Sequence, residues 1–195
     1  MGGRGCPFLL ERHMGLGIQM KKPKEILFTS RVIKYAFLSN PFPAPFIAMF
    51  GGKPVLFKSA EHYFQAHKTK NKTFRAKIIN AFDWSKAKYF GSAKGGCPLD
   101  PEFEENKDKI MLRGVAHKFA QNPVLFRLLK DTDNAVLIED ASWDEYWGTG
   151  RDGKGKRKLT KILAQVRAMT PTDLAKYRPD AHLADLKFYE GSDDK

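Results

Sequence analysis

Apolar positions recur along the chain with two different periods. Between Ile26 and Phe37 the segment ILFTSRVIKYAF is rich in β-branched and aromatic residues and predicts a strand with irregular ends. FIAMF, the turn GGK and PVLF then read as apolar run, glycine turn and apolar run, which predicts a hairpin and a small antiparallel sheet near the N-terminus. After Ser59 the spacing becomes helical. SAEHYFQAHK (59–68) predicts a first helix with Ser59 as its N-cap, TFRAKIINAF a second, and SKAKYFG a third that stops at Gly91.

A longer helix is predicted from Pro101, since Phe103, Ile110, Met111, Val115 and Phe119 fall at helical spacing with charges between them. Pro123 breaks it, and PVLFRLLK restarts a short helix. AVLIE reads as a last short strand ending in Glu139, and Leu159, Ile162, Leu163, Val166 and Met169 mark one face of a final helix. No internal repeat is present. The expected class is mainly α (α+β), a multihelical single domain with a small sheet.

A length of 195 residues supports one domain with a sizeable core. The expected domain spans 25–169, with 1–24 a loose leader and 170–195 a short helical extension followed by a solvated tail. Cys6 and Cys97 are too far apart to suggest a metal cluster or a disulfide framework, which fits a reducing compartment, cytoplasmic or nuclear. No window approaches the ~20 apolar residues of a membrane span, and Cys6 stands where a myristoylation signal needs Ser or Thr. The formal charge of +12 attracts phosphates, nucleic acid or an anionic surface, although charge alone fits an inert basic surface equally well.

Four polar clusters interrupt the apolar pattern. Ser39 and Asn40 precede the proline-rich loop PFPAPF, where an Asx-type turn is the simplest reading. Glu61, Gln65 and Lys68 lie at i, i+4 and i+7, so on a helix they share one face, either a solvated one or the wall of a pocket. Residues 139–158, EDASWDEYWGTGRDGKGKRK, carry Trp143, Tyr146 and Trp147 into a glycine-rich basic loop. Aromatics can stack on a base, and closely spaced glycines can bring backbone N–H groups to phosphate; the spacing fits a flexible basic loop equally well and is not that of a Walker A or dinucleotide fingerprint. Finally, His117 and Lys118 on the long helix read as a solvated face.

These residues also carry a resemblance. FLSN followed by PAPF, then SAEHYFQAHK, KYFG, IMLRGVAHKF and YWGTGRDGKGK before a helix ending VR are similar, in this order, to the NADAR family, also described as YbiA-like. The resemblance implies a mainly helical YbiA-like fold and hydrolysis of an N-glycosidic bond to ribose. Family members act on phosphorylated ribosylamino-pyrimidine intermediates of riboflavin synthesis, or remove ADP-ribose from guanine bases of nucleic acid. The expected partners are therefore an ADP-ribose-type or phosphorylated ribosyl substrate and a nucleic acid that carries it, with no membrane partner, cofactor or metal.

The assigned catalytic set is Glu61, Lys68 and Asp144, the last placed in the pocket by the resemblance and otherwise readable as a turn cap. Ser39, Asn40, Tyr63, Gln65, Trp147, Gly148, Gly150, Gly153, Lys154 and Arg157 complete the expected substrate contacts. Glu61 can stabilise charge on the ribose or move a proton, and a deprotonated Lys68 can attack a ring-opened C1 to form a Schiff base. A carboxylate beside Lys68 would oppose that use by raising its pKa. The chain departs from the family pattern at Pro41, Phe103, Arg157 and Thr160, and Arg157 adds positive charge beside the expected phosphate site. Such charge tilts the expectation towards ADP-ribose adducts over a monophosphate metabolite, a riboflavin-type intermediate and a non-catalytic ADP-ribose-binding module being the alternatives.

Overall fold

The computed structural model describes residues 24–31 and 33–180; the expected leader (1–23 of it) and the final tail (181–195) lie outside them. The fold is mainly helical α+β. Strand β1 (Glu25–Phe28) is followed by a 3₁₀ helix (Ile33–Leu38), the hairpin β2 (Phe46–Phe50) and β3 (Lys53–Phe57), and helices α1 (Ala60–Ala66), α2 (Lys72–Ile79) and α3 (Trp84–Phe90). A second 3₁₀ helix (Ala93–Gly95), helices α4 (Phe103–Gln121) and α5 (Pro123–Asp131), strand β4 (Val136–Glu139), and helices α6 (Lys158–Ala168) and α7 (Pro171–Ala175) complete the described elements.

The predicted strand 26–37 is corrected to four residues of β1 and a 3₁₀ helix. The Thr29 hydroxyl accepts the Arg31 N–H, an early turn that ends the strand, and Ala36, Phe37 and Leu38 are buried in succession, without the alternation a pleat imposes. The hairpin forms as predicted, its two-residue turn made by Gly51 and Gly52, both at positive φ. The antiparallel sheet is only half the picture. β1 pairs in parallel with β4, Phe28 standing beside Glu139, so both strands run out at the same edge. This requires a long crossover, and five of the seven described α-helices, α1 to α5, lie within it.

Helix α4 is the central beam. Its apolar stripe, Ile110, Met111, Val115 and Phe119, is buried against α1, α6 and β2, with Phe28, Phe46, Phe57, Leu129, Leu137, Leu159 and Leu163 closing the core. Each fully buried Phe or Leu contributes about 1.5–3 kcal/mol relative to exposure, which fixes the flanking loops in turn. The Ser59 hydroxyl caps α1 by accepting the His62 N–H, as predicted, but the helix ends at Ala66. α7 begins with a reciprocal Thr170–Asp173 capping box and buries Leu174; just beyond it, the carbonyl of Tyr177 accepts from Gln121 on α4.

Candidate active site

The shared edge of β1 and β4 opens into a cleft of about 380 Å³, lined by Thr29, Ser30 and Arg31 after β1, Asn40 and Pro41 after the 3₁₀ helix, and Glu61, Phe64, Gln65 and Lys68 of the α1 region. Trp84 and Lys88 of α3, Met111 of α4, and Glu139, Asp140, Ala141, Trp143, Asp144 and Trp147 after β4 complete it. Of the residues expected from sequence, it gathers Asn40, Glu61, Gln65, Lys68, Asp144 and Trp147.

The polar stripe of α1 faces this cleft, with every residue of the helix buried. Gln65 Nε2 donates to Glu61 Oε1 at 2.7 Å, which holds the carboxylate in one rotamer. Gln65 itself rests on the glycine that closes α3: a Cβ at Gly91 would run into Gln65 Oε1. Gly91 has φ −88°, so its lack of a side chain answers to space and not to backbone geometry. We expect Gly91→Ala to push the buried Gln65 off Glu61, lowering kcat/KM by about tenfold and the melting temperature by several degrees, readable in a single kinetic and calorimetric comparison.

Lys68 lies one residue beyond the C-cap of α1, not on the helix, and is fixed by the turn bond from its N–H to Gln65 O and by Asp100 N–H donating to its carbonyl. Its Nζ lies over the rings of Phe64 (5.5 Å) and Phe103 (5.8 Å) and makes no ion pair among the described residues. Burial pushes its pKa below the usual lysine range, Glu61 works against that shift, and Lys88 adds to it. The objection raised by a neighbouring carboxylate is thus met by desolvation, which is the larger effect.

Asp144 serves as a turn cap while lining the cleft. Its Oδ1 accepts the N–H groups of Tyr146 (3.0 Å) and Trp147 (2.7 Å), which sets Trp147 edge-on to Phe64. Glu139, at the end of β4, was visible in the sequence only as an acid closing an apolar strand. Burial, reinforced by Asp144 and Glu61, pushes its pKa up to about 7, and no group hydrogen-bonds its carboxyl among the described residues. Asn40 donates Nδ2 to Met111 Sδ, leaving Oδ1 buried without a partner, and its carbonyl accepts the Glu61 N–H.

A NADAR domain family model matches residues 27–170. N-glycosidase YbiA of Escherichia coli strain K12 is 35% identical over 109 residues, 56% of this chain and 68% of that protein. The NMR structure of E. coli YbiA superposes with a TM-score of 0.67 at 30% identity, covering 85% of this chain and 95% of that one. The riboflavin biosynthesis protein PYRR of Zea mays is 32% identical over 120 residues, 56% of this chain and 19% of that protein. The chain belongs to the NADAR family.

Not every expected contact of this NADAR domain reaches the cleft. Ser39 is fully buried, its hydroxyl donating to Ala36 O. Tyr63 is turned into the core between Phe46, Phe57 and His67, where burial pushes its pKa to about 12. The glycine loop is also corrected: its N–H groups are already used. Gly148 donates to Asp144 O, Gly150 to Ala141 O, Gly153 to Gly150 O and Gly155 to Thr149 O, so the loop folds on itself and offers none of these four donors to phosphate. Gly150 and Gly153 have positive φ, and a Cβ at Gly150 would collide with the Glu145 carboxylate. Lys154 pairs with Asp152 on the surface, while Arg157 takes a left-handed conformation at the start of α6 and donates to Gly153 O.

Lys118 overturns the solvated-face reading of the long helix. It is fully buried, donates Nζ to Ser39 O at 2.8 Å, and so braces the turn that carries Asn40. Burial pushes its pKa down to about 7. A lysine whose folded pKa lies below its unfolded value of 10.5 binds a proton more weakly in the native state, so stability rises as pH increases from about 7 towards 10.5. We expect the denaturant midpoint of the wild type to rise between pH 7 and about pH 9, and Lys118→Met to flatten that rise. An unchanged slope in the variant would refute the assignment.

Proposed function

We propose that the protein is a hydrolase that cleaves the N-glycosidic bond between a phosphorylated ribose and a nitrogen heterocycle, and that it removes ADP-ribose from ADP-ribosylated guanine in nucleic acid or nucleotide. The observation that carries this reading is a desolvated, unpaired Lys68 amine sharing one cleft with Glu61, Glu139 and Asp144. The relatives named as N-glycosidases support the bond type.

In the proposed reaction Glu139, protonated up to about pH 7, donates its proton to the ribose ring oxygen as the C1–O bond breaks and the glycosidic nitrogen supplies its lone pair. Neutral Lys68 then adds to C1; the proton that Nζ loses on addition passes to the heterocycle nitrogen, which leaves with the C1–N electron pair, and C1 remains bound to Nζ as a protonated imine. Glu61, held by Gln65, stabilises the positive charge. Water adds to C1 and passes a proton to Nζ, which leaves as the neutral amine; as the sugar recloses, the surplus proton returns to the Glu139 carboxylate. Asn40 Oδ1, an acceptor with no protein partner, receives a ribose hydroxyl.

The formal charge of +12 favours the ADP-ribose adduct over a single phosphate. The names of the riboflavin biosynthesis relatives favour a second reading, a ribosylamino-pyrimidine phosphate. Incubation with each adduct, followed by chromatography of the released base, separates the two. We expect release of guanine carriers from the first; cleavage of the pyrimidine adduct alone would reject the ADP-ribosyl assignment.

A further inference from the structure

Two of the cleft's aromatic rings have no role in the chemistry. Trp84, in the first turn of α3, is 38% exposed, and Trp143, in the loop after β4, is 73% exposed, although both line the cleft. Trp147 differs: it is edge-packed against Phe64 and Tyr146. Neither Trp84 nor Trp143 has a ring partner, a cation over its face or an indole hydrogen bond among the described residues. Large apolar rings left in water beside a functional cleft mark a surface that something covers.

Two cations stand with them. Arg31 and Lys88 line the same cleft, are exposed, and form no ion pair among the described residues. At about 380 Å³ the cleft is near the small end of the roughly 300–1,000 Å³ typical of ligand sites. In the proposed reaction a ribose and its attached base sit against Glu61, Lys68 and Glu139, which leaves the rest of a larger substrate to cross the rim. Free aromatic faces interleaved with unpaired cations are the combination that holds single-stranded nucleic acid, bases stacking on rings and phosphates meeting the charges without regard to sequence.

We propose that Trp84 and Trp143 form a stacking rim for the unmodified bases flanking the reaction site of a single-stranded polynucleotide, with Arg31 and Lys88 meeting its phosphates. This rests on the ADP-ribosyl-guanine reading and narrows it: the preferred substrate is an adduct within a strand, and the free modified nucleotide is a poorer one.

Two measurements on the full chain test the rim. In the first, a fluorescent, unmodified oligothymidylate is titrated and read by anisotropy and tryptophan quenching. The wild type binds and is quenched, Trp84→Ala and Trp143→Ala each weaken binding about tenfold, and Trp143→Phe, which keeps a ring, recovers most of the loss. Absence of binding by the wild type, or affinity that depends on salt but not on either tryptophan, overturns the proposal. In the second, kcat/KM is compared for the adduct in an oligonucleotide and as a mononucleotide. The alanine variants lose about tenfold more on the first than on the second; equal losses assign the rings to the adduct itself and also overturn it. A protein that binds the strand through these rings yet cleaves neither adduct would leave the rim standing and remove the proposed reaction instead.

Discussion

Lys68→Ala is expected to abolish turnover, lowering kcat by at least about a thousandfold, while the protein stays folded. The side chain is half-buried and makes no hydrogen bond or ion pair among the described residues, so its removal breaks no network and relieves a desolvated charge. Lys68→Arg separates nucleophile from charge. A guanidinium keeps the positive charge but does not deprotonate and forms no imine, so the arginine variant should be as inactive as the alanine one. Borohydride added during turnover should fix a sugar-linked adduct to the wild type and to neither variant. Activity retained by Lys68→Arg, or trapping that survives both substitutions, would remove the covalent route. The lowered pKa of Lys68 also sets a direction: the acid limb of kcat/KM, where the amine becomes neutral, lies below the ordinary lysine range.

Glu139→Gln is expected to remove the opposite limb. A carboxyl raised to about 7 donates a proton while it still holds one, so the share of enzyme with a competent acid falls as pH rises through about 7 and contributes the alkaline limb of kcat/KM. The amide keeps the shape and cannot transfer a proton, so its rate at the optimum should drop roughly 10²- to 10⁴-fold and its profile should lose the alkaline limb. The same shift acts on stability with a definite sign. Glu139 binds its proton more tightly folded than unfolded, so its contribution is fully present below the unfolded value of 4.5 and is lost as pH rises to about 7. The glutamine variant should lose this part of the pH dependence of unfolding. An alkaline limb unchanged in Glu139→Gln would transfer the acid role to another group.

The elements were readable because their signals are local. Phe103, Ile110, Met111, Val115 and Phe119 announced α4 at helical spacing, and Gly51 and Gly52 between two apolar runs announced the hairpin. The segment after Phe28 misled because its β-branched residues satisfy strand propensity while tertiary burial of Ala36, Phe37 and Leu38 selects a 3₁₀ turn. Lys118 misled in the opposite sense, since a charge between apolar residues reads as a solvated position unless a buried carbonyl, here that of Ser39, is known to await it. Glycines in the basic loop were visible as glycines, but whether their N–H groups were free depended on carbonyls of Ala141, Asp144, Thr149 and Gly150.

By itself the sequence determined the mainly helical class, the hairpin, the cap at Ser59, and, through its resemblance to NADAR proteins, a short set of candidate residues around Glu61, Lys68 and Asp144. Only the tertiary structure decided which of them meet. The parallel pairing of β1 with β4 brings Arg31 and Glu139 to one edge across more than a hundred residues, and the packing of α1 and α3 places Gln65 on Gly91. It also decided the protonation chemistry, because the shifts of Lys68, Lys118 and Glu139 come chiefly from desolvation. Desolvation depends on every atom that excludes water from a site, and those atoms come from segments that no local spacing connects.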